Sequence, residues 1–175
     1  MALPPGRLID IPDRGQTFIR EVQGPDNAPT LILLHGWTAT ADLNWFTCFD
    51  ELGKHFNVVA LDHRGHGQGI RSRSSFRLED CADDVVALAD TLGINTFIPV
   101  GYSMGGTIAQ LIWKQHEHRV NGLVLCSTAP ILQSHAKSDW DFSDSPVLQP
   151  LLDSLQLKQW TGSPSRCTCS ARLKD

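Results

Sequence analysis

FIPVGYSMGG, residues 97–106, decides how this sequence is read. Thr96 to Val100 has the apolar, β-branched composition of a buried strand, and it runs directly into Gly101-Tyr102-Ser103-Met104-Gly105. A helical pattern carried by Ile108, Leu111, Ile112 and Gln115 follows. A serine with glycines two places before and two places after it, on a strand-to-helix turn, is G-x-S-x-G in the setting that gives the pattern meaning. The sharp turn projects the hydroxyl beyond the sheet edge, and a side chain at either glycine would collide with a neighbouring element. The helix that starts there points N–H groups at the place where an oxyanion would develop. Ser103 is therefore the candidate nucleophile, and the N–H of Met104 is one candidate oxyanion donor.

On the N-terminal side, residues 7–11 and 16–22 predict a hairpin turning at Arg14-Gly15, and Leu31 to Leu34 a buried strand ending at Gly36. A helix is expected from about Asp42, with Trp45, Phe46, Phe49 and Leu52 on one face and Gly53 as its stop. Asn57 to Leu61 reads as a second buried strand. Leu78, Cys81, Ala82, Val85, Leu88, Ala89 and Leu92 have helical spacing closed by Gly93. On the C-terminal side, Val120 to Cys126 is a further core strand. Strands alternating with helices predict an α/β fold, a mostly parallel sheet with helices on both faces.

Two more motifs sit at strand ends. His35-Gly36-Trp37 follows the strand Leu31–Leu34. Acyl transfer needs two donors on the oxyanion, and the N–H of Trp37 is the natural second, since Gly36 lets the chain turn tightly. His35 itself reads as a buried, hydrogen-bonded structural residue rather than a base. Asp62 to Gly69 (DHRGHGQG) has the spacing G-x-G-x-G, not G-x-G-x-x-G, and no helix begins at it. It reads as a structural turn and not as a nucleotide site. His63 and His66 lack a third partner for a metal, and Cys167-x-Cys169 lacks a matching pair, so neither metal nor cofactor is expected.

Composition bounds the rest. With 175 residues, 41% hydrophobic and 19% charged, the chain is long enough for one core and is not of disordered type. A net charge of −4 with no basic block argues against a nucleic-acid partner. No apolar run approaches a membrane span, and the N-terminus MALPPGRLIDIPDRG has neither a basic nor an apolar leader region. The expectation is a cytoplasmic protein with no membrane partner. Five cysteines, an odd number, argue against a disulfide framework, and Cys48, Cys81 and Cys126 read as small core residues.

LILLHGW (31–37), NVVALDHRGHGQG (57–69), FIPVGYSMGG (97–106) and VNGLVLCSTAP (120–130), in this order and spacing, resemble the α/β-hydrolase fold superfamily. The resemblance is to its N-terminal portion only, over roughly residues 7 to 130, and to its serine-nucleophile bacterial hydrolases and esterases. It implies Ser103 as nucleophile, the N–H groups of Trp37 and Met104 as oxyanion hole, and a small-molecule ester, lactone or related acyl substrate. A serine at the elbow departs from relatives that place aspartate there, the dehalogenases and epoxide hydrolases.

The same resemblance implies the order serine, acid, histidine. No histidine follows His135, which falls where the family places its lid, and Asp139, Asp141, Asp144 and Asp153 end no recognisable core strand. Neither the triad acid nor the triad histidine is identifiable. His35, His63, His66 and His135 are poor substitutes, although His66 lies on the correct edge. Loss of a triad member costs around 10⁴ to 10⁶ in rate, so impaired activity is expected. The sequence thus reads as a C-terminally truncated hydrolase, with an incomplete core at 1–130 and the start of a lid at 131–160. The lid segment includes an amphipathic helix at Val147 to Trp160, and 161–175 reads as an aperiodic tail, either disordered or not native to the fold. The strand at 120–126 would then be an uncovered edge prone to self-association. The alternative is a non-catalytic pseudoenzyme, or a partial fold completed by a partner chain.

Overall fold

The computed structural model describes residues 2–128 and the backbone of residues 169–173. Strands β1 (Gly6–Ile11) and β2 (Gly15–Val22) form the expected antiparallel hairpin, with Ile11 opposite Gly15. The turn is closed by the Arg14 N–H donating to the Ile11 carbonyl at 3.1 Å, and it uses left-handed backbone at Asp13 and Gly15. Then come β3 (Thr30–Leu34), α1 (Ala41–Trp45), α2 (Phe49–Leu52), β4 (Asn57–Leu61), α3 (Leu78–Thr91), β5 (Ile98–Tyr102), α4 (Met104–Gln115) and β6 (Gly122–Cys126). A last strand, β7, runs over Cys169–Leu173. The sheet order is β1-β2-β4-β3-β5-β6-β7. β4, β3, β5 and β6 are mutually parallel, so their C-terminal ends form one edge.

Alternation along each inner strand divides the core between the two faces of this sheet. Ile32, Leu34, Val59 and Leu61 pack with α3 and α4, through Val85, Leu88, Ile108 and Ile112 among others. Leu31, Leu33, Val58 and Ala60 face the other way, onto Trp45, Phe49 and Leu52 of α1 and α2. Strands buried on both faces need apolar residues at every position, and this explains the unbroken runs LILL and VVAL. Cys48, Cys81 and Cys126 are buried free thiols, as their apolar surroundings in the sequence implied.

Four details differ from expectation. The single helix expected from Asp42 to Leu52 is two short ones. Thr40 caps the first, its hydroxyl accepting from the Leu43 N–H at 3.2 Å, and the Cys48 N–H then bonds three residues back to Trp45. That tightened turn brings Trp45, Phe49 and Leu52 into the core and leaves Phe46 outside, 55% exposed. The third core strand begins two residues later than predicted and includes Gly101 and Tyr102, with Phe97 bridging only to Val120. The strand at 120–126 is regular from Gly122. Its outer side is not the uncovered edge expected, because β7 pairs antiparallel along it, Cys126 opposite Cys169 and Gly122 opposite Leu173. The N–H and C=O groups of β6 need partners, and Cys-Ser-Ala-Arg-Leu does alternate with period two inside a stretch read as aperiodic. The expected lid and its helix at Val147 to Trp160 lie outside the described residues. Among the described residues, no helix is long and apolar enough to cross a membrane.

Candidate active site

β5 ends at Tyr102 and α4 begins at Met104, leaving Ser103 alone in the turn. Its backbone sits at φ 53° and ψ −115°, a conformation L-residues rarely adopt. Three neighbours hold it there. The Ser103 N–H donates to the Cys126 carbonyl at the end of β6 at 2.9 Å, and the Ser103 carbonyl accepts from the N–H groups of Gly106 and Thr107 at 3.0 and 3.4 Å. The flanking glycines are obligatory for steric reasons: a β-carbon on Gly101 would stand 2.3 Å from the Gly105 carbonyl oxygen. Gly106 is equally close-packed, with the Thr128 side chain 2.4 Å from the place of its missing β-carbon.

The loop after β3 lies against this turn. A β-carbon on Gly36 would lie 3.1 Å from the Tyr102 ring and 3.4 Å from the Ser103 β-carbon. The loop is clamped from both sides. The Gly36 N–H donates to Asn44 Oδ1 at 2.8 Å. His35, fully buried, bonds the Gly36 carbonyl through Nδ1 at 2.7 Å and accepts the His63 N–H on Nε2 at 2.9 Å. This pairing sets the tautomer, with the proton on Nδ1, and makes His35 a strut rather than a base. The Trp37 N–H makes no hydrogen bond among the described residues. As the first residue of α4, Met104 likewise has no intrahelical acceptor for its N–H. Two unengaged donors thus flank a strained serine, the arrangement that acyl-transfer chemistry requires.

The loop after β4 braces the site from the other side. The buried Asp62 carboxylate accepts the N–H groups of Ala41 and Gln68, both at 2.8 Å. Gly65 and Gly67 take left-handed backbone, at φ 76° and 45°, so the glycine repeat is the structural turn the sequence indicated. His63 is fully buried, with both ring nitrogens unpartnered among the described residues and its ring 4.5 Å from that of His35. Burial, then the neighbouring His35 and His66, press its pKa well below the ordinary value, and burial also lowers that of His35. Neither ring is placed to bond the serine. Among the described residues no side chain hydrogen-bonds the Ser103 hydroxyl, and no group of three His, Cys, Asp or Glu could hold a metal ion.

The family of proteins described as the alpha/beta hydrolase fold matches residues 29–156. The chain belongs to the α/β-hydrolase fold family. Among curated relatives of this α/β-hydrolase, the bifunctional esterase/perhydrolase DCH of Acinetobacter calcoaceticus is 32% identical over 134 residues, 75% of this chain and 48% of the relative. The pimeloyl-[acyl-carrier protein] methyl ester esterase of Yersinia enterocolitica is 33% identical over 105 residues, 60% of this chain and 38% of that protein. The chain therefore spans about half the length, or less, of the curated relatives it matches. Among solved structures, a bacterial membrane phospholipase A superposes with TM-score 0.67 at 29% identity, covering 78% of this chain and 43% of that one. The N-acyl homoserine lactone degrading enzyme Est816 gives 0.62 at 25% identity, covering 70% and 45%.

Three supporting residues of this α/β-hydrolase were not read from the sequence. Asn44 and Asp62 hold main-chain N–H groups, and such roles leave no motif because any nearby amide or carboxylate can fill them. Asp84 is nine-tenths buried in α3 and takes Arg64 in a fork, Nε to Oδ2 at 2.6 Å and Nη2 to Oδ1 at 2.7 Å, while Arg14 reaches the same carboxylate at 2.9 Å. Its position within the apolar helical spacing Cys81, Val85, Leu88 was the available signal.

Proposed function

We propose that the chain carries the nucleophile and oxyanion donors of a serine hydrolase acting on a small ester, lactone or related acyl substrate. One observation carries the reading: Ser103 is held at φ 53° at a strand-to-helix turn, beside the loop that presents the Trp37 N–H. Ser103 Oγ attacks the carbonyl carbon while its proton passes to solvent water, and the carbonyl oxygen takes the negative charge between the N–H groups of Trp37 and Met104. Collapse breaks the bond to the leaving oxygen, which takes a proton back from water and departs as the alcohol, leaving the acyl group on Ser103. A second water adds to the acyl carbon, Ser103 regains its proton, and the acid is released. The esterase, methyl ester esterase and lactone-degrading relatives support this substrate class. No cofactor enters the sequence of steps.

Neutral serine needs a base to react at speed, and within the 175 residues no histidine follows His135. The 175-residue chain is therefore expected to turn over slowly, by a factor of around 10⁴ or more relative to a complete triad. Hydrolysis of p-nitrophenyl acetate by this chain, beside Ser103→Ala of equal circular dichroism, is the test. Serine-dependent turnover, however slow, supports the reading; equal rates in the two proteins would remove Ser103 from the chemistry.

A second reading is a non-catalytic protein, or a partial fold completed by a partner chain. It is favoured by the Ser103 hydroxyl having no hydrogen-bond partner among the described residues. Stable co-purification with a chain whose addition restores turnover would distinguish the partner-completed form.

A further inference from the structure

Two cavities lie beside the C-terminal sheet edge, and they differ in chemistry. One, of about 560 Å³, is lined by Asp13, Arg14, Arg64, Arg71 and Arg73. Its two inner arginines are already paired with Asp80, Asp83 and Asp84, while Arg71 and Arg73 make no ion pair among the described residues. The other, of about 500 Å³, is bounded by Trp37, Thr40, Gly65, His66, Gly67 and Phe76, with no Asp, Glu, Lys or Arg side chain in its wall among the described residues. That volume suits a small molecule.

The second cavity has three aromatic walls. Trp37 meets His66 at 4.9 Å between ring centres and Phe76 at 5.1 Å, and His66 meets Phe76 at 5.8 Å. The planes are tilted by 63° to 80° in every pair, so none of the three rings is stacked face to face on another. Trp37 and Phe76 are nevertheless 57% and 38% exposed, a large apolar area to leave in water. Gly65 keeps the floor open: the space its side chain would enter runs to the Phe76 ring, 3.7 Å away. Gly36, whose β-carbon position is 3.4 Å from that of Ser103, directly precedes Trp37. The loop that carries Trp37 into the groove wall therefore packs against the turn that carries Ser103.

We propose that Trp37, His66 and Phe76 form a substrate-selecting groove that takes an uncharged aromatic group of the ester beside Ser103. The role in substrate choice rests on Ser103 being the nucleophile. Three aromatic rings around one cavity offer a flat aromatic group ring-to-ring contacts that a saturated ring of the same size cannot match. Without a carboxylate in the wall, a cationic group gains no ion pair there.

The test uses the 175-residue chain as Ser103→Ala, so that ester probes bind without turning over. Calorimetric titration compares benzyl acetate with its saturated counterpart cyclohexylmethyl acetate and with acetylcholine. Benzyl acetate is expected to bind about three- to tenfold tighter than the cyclohexyl ester. Adding Phe76→Ala is expected to erase the difference, and Phe76→Tyr to retain it. Phe76 is an exposed loop residue, so circular dichroism should be unchanged. Equal affinities for the two rings, a preference for acetylcholine, or a preference that survives Phe76→Ala overturns the proposal. Hydrolysis of p-nitrophenyl acetate by the unsubstituted chain, beside Ser103→Ala, runs alongside. Equal rates in the two proteins with the aromatic preference intact would defeat the nucleophile reading, and with it the role in substrate choice, while leaving the aromatic site. Serine-dependent turnover without the preference would defeat the groove alone.

Discussion

Gly105 faces the end of β3 so closely that a β-carbon built on it would stand 2.1 Å from the Leu34 carbonyl oxygen. The first turn of α4 is thereby seated on the strand that leads into the loop of His35, Gly36 and Trp37. Main chain cannot yield as a flexible side chain can. Gly105→Ala is expected to cost about 3 kcal/mol, at or above the upper end for overpacking, because helix and strand must separate. Urea unfolding should show this as a lower midpoint at unchanged slope. An unshifted midpoint would mean that the contact is slack.

The strain at Ser103 has its own signature. Both Ser103→Gly and Ser103→Ala remove the hydroxyl, but only glycine adopts φ 53° with ψ −115° without penalty. Relief of strain outweighs the extra chain entropy of glycine, so Ser103→Gly should be more stable than Ser103→Ala by about 1 kcal/mol. Elsewhere near a helix start the difference would be small or reversed. Thermal denaturation of the two variants decides it.

Acid should loosen the region beneath the loop of His35, Gly36 and Trp37. His63 and His35 have folded-state pKa values below the ordinary 6.5, chiefly through burial. As the pH falls through 6.5, the unfolded chain takes up protons on these rings that the folded chain does not. Stability is therefore level above about pH 7.5 and declines below about 6.5, by up to about 1.4 kcal/mol per pH unit for each ring. His63→Leu should reduce that slope markedly. A slope identical to that of the unsubstituted chain between pH 7.5 and 5.5 would contradict the assignment.

Asp84 ties three segments together, the β1–β2 turn through Arg14, the loop after β4 through Arg64, and α3 itself. Asp84→Asn leaves Arg64, whose side chain is only 11% exposed, without its forked partner. The expected cost is about 2 kcal/mol, since the buried charge of Arg64 then keeps only Asp80, at 3.1 Å. Raising the salt concentration should not mimic the mutation, because a buried pair is poorly screened. Urea titrations at low and high salt test both statements.

What was legible in the sequence follows a physical division. The inner strands announced themselves because burial on both faces forces continuous apolar runs, as in Leu31 to Leu34 and Val58 to Leu61. The turn at Ser103 was legible because sterics permit glycine alone at 101 and 105. The break between Trp45 and Phe49 was hidden, since the apolar spacing suits one helix or two short ones equally. The strand at Cys169–Leu173 was hidden too, because five alternating residues amid polar neighbours carry little signal and its reason for forming lies in the open side of β6. The groove by Phe76 was invisible: it joins residues from two loops, and only folding brings their rings within about 5–6 Å of each other.

The order of strands in the sheet differs from the order in which they are made. β3 lies between β4 and β5, and both follow it in the chain. On the ribosome, LILL therefore emerges with no neighbour on either side. Its first partner is complete only at Leu61 and its second only at Tyr102. For that interval the most apolar segment of the nascent chain is unpaired, a state that invites association with other chains. Synthesis paused between residues 34 and 61 would leave the polypeptide at its most adhesive, and a chaperone that engages it there would shield the strand on which the loop of His35, Gly36 and Trp37 is later hung.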